Sequence, residues 1–206
     1  DFCLSRGLGD VYKRQDKSYP LGTQDYTPVI KAAKASNPDA FIAYSYPPDT
    51  FGLTDQAKIE NFNVKAYYNG IGCAFAGFAG KYGASAENVI GFGGVPDNEK
   101  TRAFLKLHKE VTGIDSDYNA CFYLYANGEV LTQAFEGAGT VDKEAVTTYL
   151  KSHTFKTVIG EIDLRTQLQN IAYTVGQWQG GFFRSVSAVG APASELVPVR
   201  VKTSWA

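Results

Sequence analysis

The sequence predicts an α/β protein organised around a parallel sheet. From Asp16 to Val95, short apolar runs with strand character alternate with helical patterns, the grammar of βαβ units. After Val95 three helical patterns follow one another with no strand between them. The chain then returns to strands, with a hairpin turning at Gly180-Gly181.

Each element has a local reason. Asp25 or Thr27 can cap the first helix, and Pro28 sits in its first turn, where no hydrogen bond is lost. "SNPDA" ends it, because a residue before proline resists the helical region. "FIAY" reads as a strand buried on both faces, stopped by Tyr46-Pro47-Pro48. "DTFGLTDQAKIENF" is the second helix, capped by Asp49 or Thr50, with Leu53, Ala57 and Phe62 apolar. "VKAYYNGIG" is a strand and loop, "AFAGFAGKYG" a short helix and "NVIGFGGV" a strand. "PDNEKTRAFLKLHKEVTG" is amphipathic, with Ala103, Phe104, Leu107 and Val111 on one stripe and Gly113 at its end. "YNACFYLYANGEVLTQAFEGAG" is longer and more apolar, and Asp142 caps "KEAVTTYLKSH". Three helices without strands must lay their apolar faces on something else. "TVIGEIDL" alternates as a strand, "TVGQWQGGFFRSV" is the hairpin and "VPVRVKTSW" is extended.

Residues 1–15, "DFCLSRGLGDVYKRQ", show neither helical nor strand periodicity. The segment resembles translated adapter sequence at the ends of assembled environmental reads, so it is set aside as non-native. No methionine occurs and no signal peptide is visible, as expected of a mature secreted protein or of a piece of a longer one. A net charge of -1 with no basic block argues against nucleic acid or anionic membrane as partner. No run approaches the ~18 apolar residues of a transmembrane helix. Cys3, Cys73 and Cys121 form no CxxC and have no histidine at metal spacing, so Cys73 and Cys121 read as unpaired core residues and no metal site is expected.

Catalytic machinery is not visible. "GIGCAFAG" follows a strand and precedes a helix, but the third glycine of a dinucleotide fingerprint falls at Phe75, whose ring blocks the close approach that motif exists to permit. His108 and His153 lie among lysines on helix surfaces, "GASAE" is not a nucleophile elbow, and the acids are scattered. Trp178 reads as a packing anchor beside the hairpin turn. Tyr46 is singled out by position, since ligands of open parallel sheets sit beyond the carboxyl ends of the strands.

Six stretches in order carry a resemblance: "DYTPVIKAAKASNPDAFIAYSY", "DQAKIENFNVKAYYNGIG", "FAGKYGASAENVIGFGG", "YANGEVLTQAFEGAGTVDKEAV", "TFKTVIGEI" and "VGQWQGGFF". Together they resemble the periplasmic solute-binding proteins of ABC importers, in the branched-chain amino-acid-binding family. The resemblance implies a type I periplasmic-binding-protein fold, with one largely complete parallel-sheet lobe plus the helical remainder of the other. It makes residues 16–95 the second lobe, 96–170 the return into the first, and 171–206 the crossing back, with the first lobe's sheet upstream and absent. The implied function is non-enzymatic capture of a small molecule for an importer permease, outside the cytoplasm and without a cofactor. The implied site is Tyr46 closing over the ligand, Ser45 and Pro47 along the same edge, and Gly70, Ile71 and Gly72 in the next loop. Amino-acid-binding members tend to carry an acidic residue in that loop to pair with the ligand ammonium; here it reads Asn69-Gly70-Ile71-Gly72. A buried unpaired ammonium is costly, so the expected ligand lacks an α-amino group. With half the contacts elsewhere, the chain alone is expected to bind poorly. The same fold serving as a ligand-sensing or regulatory domain is one alternative. An NAD-dependent oxidoreductase is the other, and Phe75 argues against it.

Overall fold

The computed structural model describes residues 18–20, 22–166, 172–189 and 193–205. The segment set aside above, with Cys3, and residues 167–170 of the tail's first stretch lie outside them.

Seven strands and six helices follow in the order α1 (Thr27–Ala35), β1 (Ala40–Ala43), α2 (Pro47–Ile59), β2 (Ala66–Asn69), α3 (Ala76–Tyr82), β3 (Ile90–Phe92), α4 (Glu99–Thr112), α5 (Ala120–Ala138), α6 (Lys143–Leu150), β4 (Thr154–Thr157), β5 (Gly160–Asp163), β6 (Ala172–Gln179) and β7 (Phe182–Val189) among the described residues. A five-stranded sheet runs β1-β2-β3-β6-β7. β1, β2 and β3 are parallel; β6 joins β3 antiparallel and β7 joins β6 antiparallel. One register row crosses it from Ile42 through Tyr68, Ile90 and Gln177 to Arg184. The α/β fold on a parallel sheet is therefore present, with an antiparallel hairpin at one edge.

Two cores form. In the first, Ile30 of α1, Leu53 of α2 and Phe78 of α3 pack with Tyr67, Trp178 and Phe183 of the sheet. In the second, Phe104, Phe122, Val130, Val146, Phe155 and Phe182 draw α4, α5, α6 and the small β4-β5 sheet together. Tyr118 packs against both. Trp178 is the anchor expected, its indole N–H donating to the Cys73 carbonyl at 2.8 Å. The C-terminal segment lies along the amino ends of β2 and β3, where the Trp205 indole donates to the Phe62 carbonyl and the Lys202 backbone to the Lys65 carbonyl.

The structure departs from the sequence pattern at several elements. β1 is not buried on both faces: Phe41 and Ala43 turn towards the core, while Ile42 is 62% exposed. The strand ends at Ala43, and the two prolines are not a stop after it but the first turn of α2, whose N-cap is Tyr46. Proline fits there because first-turn N–H groups have no partner within the helix. The α4 stripe is only partly interior. Phe104 is buried, whereas Ala103, Leu107 and Val111 are exposed, Val111 by 75%. "TVIGEIDL" is not one strand: Val158-Ile159 is a turn, and β4 pairs back on β5. β-Branched Val158 and Ile159, which form the turn itself, hid it. By contrast the Asp142 cap is present, accepting from the Glu144 and Ala145 backbones.

Candidate functional site

The carboxyl ends of β1 and β2 open into two loops, residues 44–46 and 70–72, that pack against each other. The Gly70 backbone donates to the Ala43 carbonyl at 3.0 Å. Tyr46, in extended conformation at the start of α2, is 69% exposed, so its ring stands clear of the core. Tyr44 is also exposed, its ring centroid 5.9 Å from that of Tyr68.

Ser45 turns the other way. Its hydroxyl donates to Asn69 Oδ1 at 2.6 Å and lies 2.8 Å from Thr50 Oγ1. Asn69 is fully buried, and its Nδ2 donates to the Thr50 carbonyl at 2.9 Å and to Thr54 Oγ1 at 3.0 Å. The Cys73 thiol donates to the Asn69 carbonyl, and burial pushes its pKa well up. This closed polar network locks the two loops to α2; each member satisfies another in a low-dielectric interior. Sequence reasoning missed it because Ser45 and Asn69 meet only in space. A buried asparagine at a strand end was the available signal.

Gly70 has φ +53, and a Cβ there would lie 2.2 Å from the Ser45 carbonyl oxygen. A Cβ on Gly72 would meet Pro47 Cα at 2.9 Å. Both contacts lie far inside van der Waals distance, so these positions accept glycine and the loops approach through bare backbone. Ile71 and Pro47 are half-buried between them. The structure thus brings Ser45, Pro47, Gly70 and Gly72 together, with Tyr46 and Ile71 at the same rim.

Charge at this rim is sparse. Residues 44–49 and 69–72 contain one carboxylate, Asp49, and no lysine, arginine or histidine. Asp49 is buried and accepts a hydrogen bond from Tyr26 Oη at 2.7 Å. Burial and that carboxylate drive the Tyr26 phenol far above its ordinary pKa. The α2 N-terminus is a poor anion site, because Pro47 and Pro48 carry no N–H and Asp49 already opposes the helix dipole. What remains exposed is aromatic and aliphatic surface, from Tyr44, Tyr46 and in part Ile71, while Gly70 and Gly72 are buried beneath it.

Other candidates stay where they can do little chemistry. His153 stacks on Tyr149 at 3.8 Å, and His108 faces the Thr112 hydroxyl and the Ile114 carbonyl at the end of α4. Phe75 is the extended residue preceding α3. Among the described residues no group of three or more His, Cys, Asp or Glu could hold a metal ion, and no helix is long and apolar enough to cross a membrane.

The profile of the periplasmic binding protein family matches residues 11–181. Among solved structures, the chain is similar to a leucine-binding protein from Thermotoga maritima (21% identity, TM-score 0.64, 83% of this chain and 50% of that one). It is also similar to an ABC-transporter substrate-binding protein from Sphaerobacter thermophilus (16% identity, TM-score 0.68, 90% and 52%). A third similar structure is an ABC-transporter solute-binding protein from R. palustris in complex with benzoate (12% identity, TM-score 0.65, 86% and 51%). The chain spans about half the length of each of these structures.

Proposed function

The chain belongs to the periplasmic binding protein family, and on that premise we propose that it forms one wall of a solute receptor serving an ABC importer outside the cytoplasm. In this reading residues 16–95 and 171–206 make the second lobe and residues 96–170 return into the first. The ligand sits between the lobes against Tyr46, Gly70, Ile71 and Gly72, while Ser45 and Pro47 hold the rim in place. Contacts made by both lobes favour a closed state, and the permease would receive the ligand from it. Tyr44 and Tyr46 stand exposed at the rim, consistent with the opposite wall being supplied by other residues.

The observation that carries the ligand class is Gly70. A carboxylate partner for a ligand ammonium is missing there, and the clash with Ser45 leaves no room for one. Asp49 is turned to Tyr26. The ligand proposed is therefore a small molecule without an α-amino group, such as an amide, or an aromatic or aliphatic acid whose carboxylate is met by the opposite wall, since this rim offers no cation. The benzoate held by the similar R. palustris protein is of that class.

The test is calorimetric titration of the protein carrying both lobes with leucine, valine, benzoate, a branched aliphatic acid and its amide. Amine-free ligands should bind at least about 100-fold more tightly than leucine, because an unpaired buried ammonium forfeits several kcal/mol. Tight leucine binding with its ammonium over Gly70 would sink the proposal. The present chain titrated alone should show no binding at micromolar concentration.

A further inference from the structure

A small cavity of about 20 Å³ lies where the chain leaves β3 for α4, bounded by Val95, Pro96, Tyr123 of α5, Ile159 of the β4-β5 turn, Thr174 of β6 and Ser185 of β7. Thr174 and Ser185 are 7% and 2% exposed, and the hydroxyl of each is buried without a hydrogen-bond partner. Their backbones are engaged elsewhere. The Thr174 carbonyl accepts from the Gly93 N–H, and the Ser185 N–H donates to the Val95 carbonyl. Their hydroxyls have no such partner, and both residues line the same small space.

An unpaired buried hydroxyl is costly, and natural interiors rarely leave one so. A dry cavity is stable when its lining is apolar; one with hydroxyls on its wall is not of that kind. A single water needs roughly 10–15 Å³ by this measure, so the space admits one molecule and excludes most else. A wider crevice of about 240 Å³, sharing Pro96, Ile159 and Glu195 with it, gives a path for exchange with solvent.

We propose that this cavity is a hydration site: one long-lived internal water, hydrogen-bonded by Thr174 and Ser185, ties β6 and β7 together beneath the Val95-Pro96 crossing. Such a water serves the junction between the two cores, independently of which ligand the rim accepts.

The test compares this chain with its Thr174→Val/Ser185→Ala variant by magnetic relaxation dispersion of solvent water, with circular dichroism confirming that both fold. The wild type should show one more long-lived water than the variant. A crystal structure of the wild type should show a peak within hydrogen-bonding distance of Thr174 Oγ1 or Ser185 Oγ. Equal counts of long-lived water, or a crystal in which the cavity is empty and both hydroxyls have turned onto backbone carbonyls, would overturn the proposal. Should the double variant not fold, Ser185→Ala alone and the wild-type crystal decide it.

Discussion

The sheet region and the helical region treat their apolar residues differently. Around β1-β2-β3-β6-β7 the helices lie on one face of the sheet, and Leu53, Phe62, Tyr67, Phe78 and Phe183 vanish from solvent. In the helical region α5 buries Phe122, Ala126, Val130 and Ala134 on one side, while Leu124, Leu131 and Phe135 stand exposed on the other, Leu124 by 70%. A helix apolar on both sides is built to be covered on both sides. The sheet region brings its own cover for one face; among the described residues the helical region has no partner for half of its longest helix. Local sequence therefore sets where a helix begins and ends, but burial belongs to whatever the helix meets.

The sharpest way to break that contrast is to cut into the part of the helical region that is packed. Phe122→Ala removes a fully buried ring that touches Phe104 at a centroid distance of 4.4 Å. Urea unfolding should show a loss of about 3–5 kcal/mol. A loss below about 1 kcal/mol would mean that the second core is not consolidated without further cover, and the two regions would differ in kind rather than in completeness.

On the sheet side the counterpart is Asn69→Ala. It strips the Ser45 hydroxyl, the Thr50 carbonyl and the Thr54 hydroxyl of a shared partner at once. The cost should be about 2–3 kcal/mol, since stranded buried polar groups lose their full solvation. On the proposed function, ligand affinity of a protein carrying both lobes should fall with it, because Ser45 and Gly70 would set the rim. Unchanged affinity in a folded variant would separate the network from the site.

A buried charge probes how dry the sheet region is. Lys202 donates to the Ser85, Glu87 and Ser204 carbonyls and lies 4.1 Å over the Trp205 ring. Burial first, then the nearby Lys58, lowers its pKa to about 8. Between that value and its ordinary 10.5 the folded chain holds fewer protons than the unfolded one, so stability from this group rises with pH across the window. Below about pH 8 both states are protonated and the penalty is constant. The melting temperature measured from pH 8 to 10 should climb more steeply in the wild type than in Lys202→Met; parallel slopes would mean that the tail lies open to solvent.

Smaller still is the cap of α6. Asp142 accepts from the Glu144 and Ala145 N–H groups at 3.1 and 2.9 Å, and Asp142→Ala should cost about 1 kcal/mol. This cap was legible in the sequence, as were the Gly180-Gly181 turn and the helix end at Gly113, because each is decided by residues within a turn of one another. The split of β4 from β5 was not, since Val158 and Ile159 suit a strand and only pairing makes them a turn. At the site, the place of Tyr46 beyond the carboxyl end of β1 was readable from the order of elements, though not its role as the N-cap of α2. The inward turn of Ser45 and the Tyr26–Asp49 bond were not, because their partners lie on other elements.

The least effect is expected where the contrast itself is most exposed. Leu131→Lys and Phe135→Lys lie on the open side of α5, 46% and 40% exposed, so in this chain they should change stability by no more than about 1 kcal/mol while raising solubility. If residues 96–170 return into a first lobe as proposed, then in a protein that also carries that lobe's sheet the same pair should cost several kcal/mol, because each lysine would be driven into an apolar contact without a partner. The difference between the two measurements, rather than either alone, reports the cover. A large loss in the present chain would show that the stripe is already buried, by self-association or by rearrangement of α4. No loss in the longer protein would show that α5 keeps an apolar outer face for some other purpose, and the lobe assignment of residues 96–170 would have to change.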